Sequence, residues 1–125
     1  MELHYWYCRH CGKVIVIVDD TGTPTMCCGS AMVKLQPMKH DGMMEKHVPV
    51  VITHGRSVTV LVGTVQHPMN SEHYIKWILL QTDMGIHKVC LVPEDLPQAH
   101  FTLEENEKII DAWTYCNVHK LWKTE

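Results

Sequence analysis

Four cysteines, Cys8-x-x-Cys11 and then Cys27-Cys28 after fifteen intervening residues, sit in a stretch with too few apolar side chains to build a core. A unit this small needs a metal, disulfides or oligomerisation to hold a fold. The chain opens Met-Glu-Leu-His-Tyr-Trp, without a basic and then apolar signal region, so it reads as cytoplasmic and metal ligation is preferred to disulfides. In a Cys-x-x-Cys pair both sulfurs point the same way across a tight turn, here eased by Gly12. Four sulfurs at tetrahedral positions suit zinc or a single iron, and the spacing does not separate the two. Cys27 and Cys28 fit such a site less readily, because a trans peptide sends neighbouring side chains apart. A disulfide between those two neighbours is the alternative.

The rest of the N-terminal stretch is consistent with a small β unit over residues 1–36. Val14 to Val18 is a β-branched apolar run, Asp19-Asp20-Thr21-Gly22 is a turn, and Ala31 to Leu35 is a short segment. Gln36 to Gly42, with Pro37 and Asp41-Gly42, reads as a linker or crossing segment into a second domain over 37–125. Beyond it the pattern is β almost throughout. Strands are expected at Val48 to Thr53, Val58 to Thr64, Tyr74 to Thr82, His87 to Val92, Ala99 to Leu103, Lys108 to Tyr115 and Leu121-Trp122. Turns are expected at His54-Gly55-Arg56 and Asp83-Met84-Gly85. Short strands with turn signals every 8 to 12 residues predict an all-β chain whose second domain is a β-sandwich. One segment is ambiguous: Glu104-Glu105-Asn106-Glu107-Lys108 equally suits the start of a helix.

The second domain carries a second set of candidate ligands in three packets. His47 precedes a strand, His67 and His73 flank a loop, and Cys116 and His119 stand three apart. Four imidazoles and one thiolate are too many for a closed tetrahedral zinc site and the wrong donors for calcium or magnesium. Imidazole suits iron, copper, nickel and zinc, and a single soft thiolate shifts the choice toward a redox metal. Five protein donors around an octahedral ion leave one position where a small molecule can react.

Composition excludes other classes. No apolar run approaches a membrane span, and a net charge of −3 with no dense Lys/Arg block argues against nucleic acid as a partner. Ten histidines in 125 residues is a marked excess. From the residues alone three functions remain: a redox enzyme at the His-rich site, a non-enzymatic electron carrier working through the four-cysteine site, and a zinc-stabilised interaction module. An electron carrier would have a closed, structural His-rich site; an interaction module would contain zinc alone.

Met44-Glu45-Lys46-His47-Val48-Pro49-Val50, His67-Pro68-Met69 with His73-Tyr74-Ile75, and Cys116-Asn117-Val118-His119 resemble the signature segments of superoxide reductases. The Cys8, Cys11, Cys27, Cys28 pattern resembles the desulforedoxin-like domain, and together they resemble the two-iron form of the family, the desulfoferrodoxins. The resemblance covers nearly the whole chain. It implies an iron held by the four cysteines, with zinc as a substitute, and a catalytic iron with His47, His67, His73 and His119 around its equator and Cys116 on its axis. It also implies an immunoglobulin-like catalytic domain, a homodimer, one-electron reduction of superoxide to hydrogen peroxide, and a rubredoxin-like or reductase electron donor. Lys46 would guide superoxide, and Glu45 would be the carboxylate that takes the open position of the ferric ion. Asn117 would hydrogen-bond near the Cys116 sulfur or cap a turn. Two residues depart from the family pattern: Lys120 stands where Gly is usual, and Cys90 is an additional cysteine, expected to be a buried structural thiol.

Overall fold

Tyr5-Trp6-Tyr7 is a run of aromatic side chains suited to a pleated strand. In the computed structural model, which describes residues 3–38 and 44–124 (the side chains of Met44 and Glu45 excepted), it forms β1 (Tyr5–Tyr7). Antiparallel β2 (Val14–Val16) and β5 (Val33–Leu35) flank it, with Trp6 opposite Ile15 on one side and Lys34 on the other. Between them a two-residue pair, β3 (Met26–Cys27) and β4 (Ser30–Ala31), closes through Cys28-Gly29. The chain divides into two compact units, Met1–Gln36 and Pro37–Glu125. In the first, Leu3, Tyr5, Cys8 and Met32 are the buried apolar residues among those described. The apolar run from Val14 gives a shorter strand than expected, and Val18 is almost fully exposed.

The second unit contains one helical turn, α1 (Met44–His47), which Pro49 ends by opening β6 (Pro49–His54). Proline lacks the N–H that a continuing helix would need, and it is tolerated as the first residue of a strand. β6 turns through Gly55-Arg56 into β7 (Ser57–Val62), with His54 opposite Ser57 and Gly55 at φ 61°. A positive φ at the tight loop is the conformation glycine reaches without steric cost. β10 (Gln98–Thr102) completes this three-stranded antiparallel sheet, in the order β10-β7-β6.

The facing sheet has four strands in the order β12-β11-β8-β9, all antiparallel: β8 (Ile75–Thr82), β9 (Ile86–Cys90), β11 (Ile109–Cys116) and β12 (Lys120–Lys123). Three strands against four make an immunoglobulin-like sandwich. Its core comes from side chains two apart on each strand: Val58, Val60 and Val62 of β7, Ile78 and Leu80 of β8, Ala99 and Phe101 of β10, and Ala112 of β11. Burying such side chains contributes about 1.5–3 kcal/mol each, before the entropy of ordering them is subtracted.

The ambiguous segment after β10 is a turn, not a helix. Asn106 adopts a left-handed φ of 68°, and the Glu107 carboxylate accepts the Glu104 N–H at 2.8 Å, which locks the turn locally. Strand β11 then starts with a bulge, since Ile109 pairs with Thr82 but Asp111 with Gln81. Ile110 is the extra residue and is about half exposed, so the inward-outward alternation of side chains breaks there. The expected strand Val58 to Thr64 stops at Val62, and the crossing segment from Gln36 to Gly42 is described only as far as Met38, which bridges to Trp122.

Cys90 corrects a sequence expectation: it is an exposed thiol, not a buried one. It ends the edge strand β9, whose side chains alternate outward at Ile86, Lys88 and Cys90 and inward at His87 and Val89. An edge strand with no further sheet neighbour leaves its outward row open to solvent.

Candidate metal centres

The first cluster is built by two tight turns. Leaving β1, the chain folds back so that the Gly12 N–H reaches the Cys8 carbonyl at 2.9 Å, with Gly12 at φ 83°. The Cys11 N–H donates to the Cys8 sulfur at 3.5 Å. On the other turn, Cys28 takes a left-handed φ of 52° and Gly29 follows at 78°. That unusual φ answers the objection to adjacent cysteines: it swings the Cys28 side chain round until its sulfur is 3.9 Å from that of Cys27. A non-glycine residue there costs on the order of 1 kcal/mol or more, and such strain persists where the surrounding structure holds it.

The sulfurs of Cys11 and Cys27 are 3.7 Å apart, and all four donor atoms lie within 4.8 Å of one another. Sulfurs about 2.3 Å from a common ion at tetrahedral angles stand roughly 3.8 Å apart, so the cluster fits a four-thiolate metal. Its proton affinities agree. The Cys11 N–H above all pulls the Cys8 thiol down to about 6, whereas its neighbours Cys8 and Cys11 push Cys27 up to about 12, and Cys11 raises Cys28. One thiol ionises easily, and the negative charge then resists further ionisation until a cation arrives. All four are free of disulfide bonds, so the Cys27–Cys28 bridge is not formed.

The second cluster draws on three separate stretches of chain. His47 ends α1, His67 and His73 come from the loop between β7 and β8, Cys116 ends β11 and His119 lies in the turn before β12. The ring centroids trace a square. Its sides are His47–His67 at 4.6 Å, His67–His73 at 4.7 Å, His73–His119 at 5.1 Å and His119–His47 at 4.8 Å. The His47–His73 diagonal is 6.4 Å. Neighbouring rings stand at 69–84° to each other, while the diagonal pair is tilted by only 30°.

Ring nitrogens point into this square. His47 Nε2 lies 3.1 Å from both His67 Nε2 and His119 Nδ1. His67 Nδ1 donates to the Pro68 carbonyl at 2.6 Å, which leaves Nε2 as the lone-pair nitrogen facing inward. His73 Nε2 is buried with no hydrogen-bond partner. The Cys116 sulfur is 3.9 Å from His119 Nδ1, and the donor atoms of His47, His67, His73 and Cys116 lie within 4.8 Å of one another. Ring nitrogens converging at about 3 Å, together with an orphaned buried nitrogen, fit a cation held at their centre.

Burial favours the neutral imidazoles that a metal needs. It holds the His67 imidazole down at about 4, against the opposing pull of the Pro68 carbonyl, so the ring is neutral at pH 7. His73 is lowered by burial and by the charges of His119 and Lys46. Burial raises the Cys116 thiol, opposed by the N–H groups of His119 and Val118 and by the Lys120 ammonium. A thiol held protonated by burial becomes a thiolate when a metal replaces its proton.

Of the expected site residues, the structure brings Cys8, Cys11, Cys27 and Cys28 together, and separately His47, His67, His73, Cys116 and His119. Lys46 is exposed on the helical turn that ends in His47, and its charge reaches His73. The Glu45 side chain lies outside the described residues. Asn117 has a different part from either one expected. Its Oδ1 accepts the Tyr74 N–H and its Nδ2 donates to the Glu72 carbonyl, both at 2.9 Å, so it ties down the loop carrying His73. The bond to the Cys116 sulfur comes instead from the His119 N–H, at 3.3 Å.

Two supporting residues had not been singled out in the sequence. Trp122 stacks on the His47 ring at 4.5 Å and 16°, and its indole N–H donates to the His119 carbonyl at 3.0 Å. Thr114 donates its hydroxyl to the His47 carbonyl at 2.9 Å. A Trp and a Thr on neighbouring strands carry no spacing signal, so only the fold reveals them.

An immunoglobulin-like sandwich with a four-imidazole, one-thiolate cage, in a chain that also has a four-thiolate knuckle, defines a protein with two candidate metal centres. The desulfoferrodoxin family profile matches residues 39–125. Over 124 residues the chain is 38% identical to the desulfoferrodoxin of Nitratidesulfovibrio vulgaris, covering 99% of this chain and 97% of the relative. A desulfoferrodoxin homolog from Archaeoglobus fulgidus is 37% identical over 98% of this chain and 96% of its own length. The crystal structure of the superoxide reductase from Treponema pallidum superposes with a TM-score of 0.82 at 31% identity, covering 99% of this chain and 98% of that one. The superoxide reductase (1Fe-SOR) of Giardia intestinalis gives 0.57 at 33% identity, over 64% of this chain and 95% of its own. The chain belongs to the desulfoferrodoxin family.

Proposed function

We propose that this protein is a superoxide reductase, carrying out one-electron reduction of superoxide to hydrogen peroxide at the His-rich centre. The observation that carries the reading is the square of four imidazoles completed by the Cys116 sulfur, a donor set that leaves one octahedral position free. The similar proteins of Treponema pallidum and Giardia intestinalis are superoxide reductases.

His47, His67, His73, His119 and Cys116 would hold the iron, and their rings and sulfur already converge on one point. Bound there, iron supplies the electron that superoxide accepts. Four neutral imidazoles leave most of the metal charge uncompensated, so the site attracts an anion. The exposed Lys46 ammonium adds to that field, and a positive charge at the mouth raises the encounter rate of a small anion. Glu45, its neighbour in sequence, would supply a further carboxylate for the same iron. Cys8, Cys11, Cys27 and Cys28 hold a second iron, for which zinc substitutes.

Residues 1–36 act as the desulforedoxin-like domain and 37–125 as the catalytic one. The small number of buried apolar residues in the N-terminal unit supports a homodimer. A rubredoxin-like protein or a reductase supplies electrons. Six unbridged cysteines support a reducing compartment, the cytoplasm. No helix among the described residues is long and apolar enough to cross a membrane.

The deciding experiment combines a metal count on anaerobically purified protein with stopped-flow or pulse-radiolysis oxidation of the reduced His-rich centre by superoxide. Two irons per chain and rapid second-order oxidation are expected. Zinc alone, or a reduced centre inert to superoxide, overturns the proposal. Cys116→Ser should abolish the thiolate-to-iron absorption while the bands of the four-cysteine iron persist.

A further inference from the structure

Each turnover of the proposed reaction takes one electron from the His-rich centre, so one must be delivered from outside. Delivery across the open face would compete with superoxide for the same approach. The opposite side of Cys116's own strand offers a separate way in. Tyr115 precedes Cys116 on β11, and its ring stacks on Trp77 of β8 with centroids 5.4 Å apart and planes within 10°. Trp77 in turn lies directly opposite Cys90 on the edge strand β9. Exposure falls along this row: Cys90 is exposed, Trp77 half-buried, Tyr115 buried and Cys116 fully buried.

We infer that the Trp77–Tyr115 stack conducts the reducing electron from the outer sheet face at β9 to the Cys116 thiolate and its metal. The inference rests on Cys116 being a ligand of that metal. Electron tunnelling weakens steeply across gaps and is carried better by bonded and packed groups. The row contains one packed ring–ring contact and one peptide linkage between Trp77 and the sulfur. Thiolate is the most covalent of the five donors, so an electron arriving there couples well to the ion. The aromatic pair keeps its own electrons and is not oxidised or reduced in passing; a one-electron donor at the surface is oxidised, the ferric ion becomes ferrous, and no bond or proton moves.

Cys90 allows a direct test in the iron-loaded protein, because it lies outside both clusters and is exposed. A ruthenium(II) polypyridyl maleimide is attached at Cys90, excited by a laser flash, and reductively quenched by ascorbate. The photoreduced complex passes its extra electron to the ferric centre, and the bleaching of the thiolate-to-iron band times the arrival. Replacing the ring in Trp77→Leu or Tyr115→Leu should slow this bleaching at least tenfold, while Tyr115→Phe, which keeps the stack, stays within about threefold of the unsubstituted protein. Where Tyr115→Leu fails to fold, the half-buried Trp77→Leu and Trp77→Phe pair decides, with Phe restoring the rate. Bleaching in Trp77→Leu as fast as in the parent, with metal content and spectrum intact, overturns the route. Absence of the thiolate band from the parent would instead overturn the Cys116 ligation on which it rests.

Discussion

Lys46 is the residue whose charge has the plainest consequence. It is exposed on the turn that ends in His47, and His73 feels its field. Lys46→Ala should slow superoxide capture and flatten the dependence of the rate on ionic strength, since screening then has less attraction to remove. Pulse radiolysis across a salt series measures both; an unchanged rate and slope would exclude steering by this side chain. Lys120 has a second claim, through its backbone. It holds φ 66°, a conformation that glycine adopts freely. Lys120→Gly should therefore relieve strain and stabilise the sandwich by up to about 1 kcal/mol, a rise in melting temperature of roughly 3–5 °C. It also removes a positive charge felt by Cys116, so the superoxide rate should fall at low salt only.

Among the elements, the turn after β10 is clamped to the β8–β9 hairpin by one carboxylate. Glu107 accepts hydrogen bonds from the Thr82 hydroxyl, from His87 at 2.9 Å and from the Glu104 N–H, and its side chain is only 3% exposed. These donors, Thr82 first, hold it down at about 2 against an ordinary 4.5. A depressed carboxyl stabilises the fold fully above its unfolded value, and that contribution is lost as pH falls through the folded one. Stability should thus decline between about pH 4.5 and 2, and Glu107→Gln should show a shallower decline over the same window. Denaturant titrations of both proteins at several acid pH values measure the difference. Most strands of this region were legible in the sequence, because β-branched runs between Gly and Asp turns have few alternatives. What escaped was set by pairing partners: the bulge at Ile110, the exposure of Cys90 and the end of β7 depend on which strand lies alongside, which local pattern does not encode.

For the molecule as a whole, the two units differ in what holds them. The sandwich buries a continuous core from four strands, whereas the N-terminal unit buries few side chains and converges on four sulfurs. Stripping metal from the four-cysteine site should erase amide-exchange protection in β1, β2 and β5 while β7, β8 and β11 keep theirs. Hydrogen-exchange mass spectrometry reads this directly, and equal loss in both units would show a shared core. The metal sites were legible to different depths. The ligands declared themselves because Cys and His in short packets have a chemistry of their own. The groups that hold them did not, since Trp122, Thr114 and Asn117 are ordinary residues until the strands bring them to the rings.

Those holding groups have an effect on the speed of electron exchange. His47 is pinned by the Trp122 ring, His67 by the Pro68 carbonyl, the His73 loop by Asn117 and the Cys116 sulfur by the His119 N–H. With His119 held through its carbonyl by the Trp122 indole N–H, each donor is thus restrained by something other than the metal. A cage restrained from outside barely changes its dimensions when the ion gains or loses one charge. Little nuclear rearrangement would then accompany each electron, and a metal held there would exchange electrons with only a small barrier in either direction.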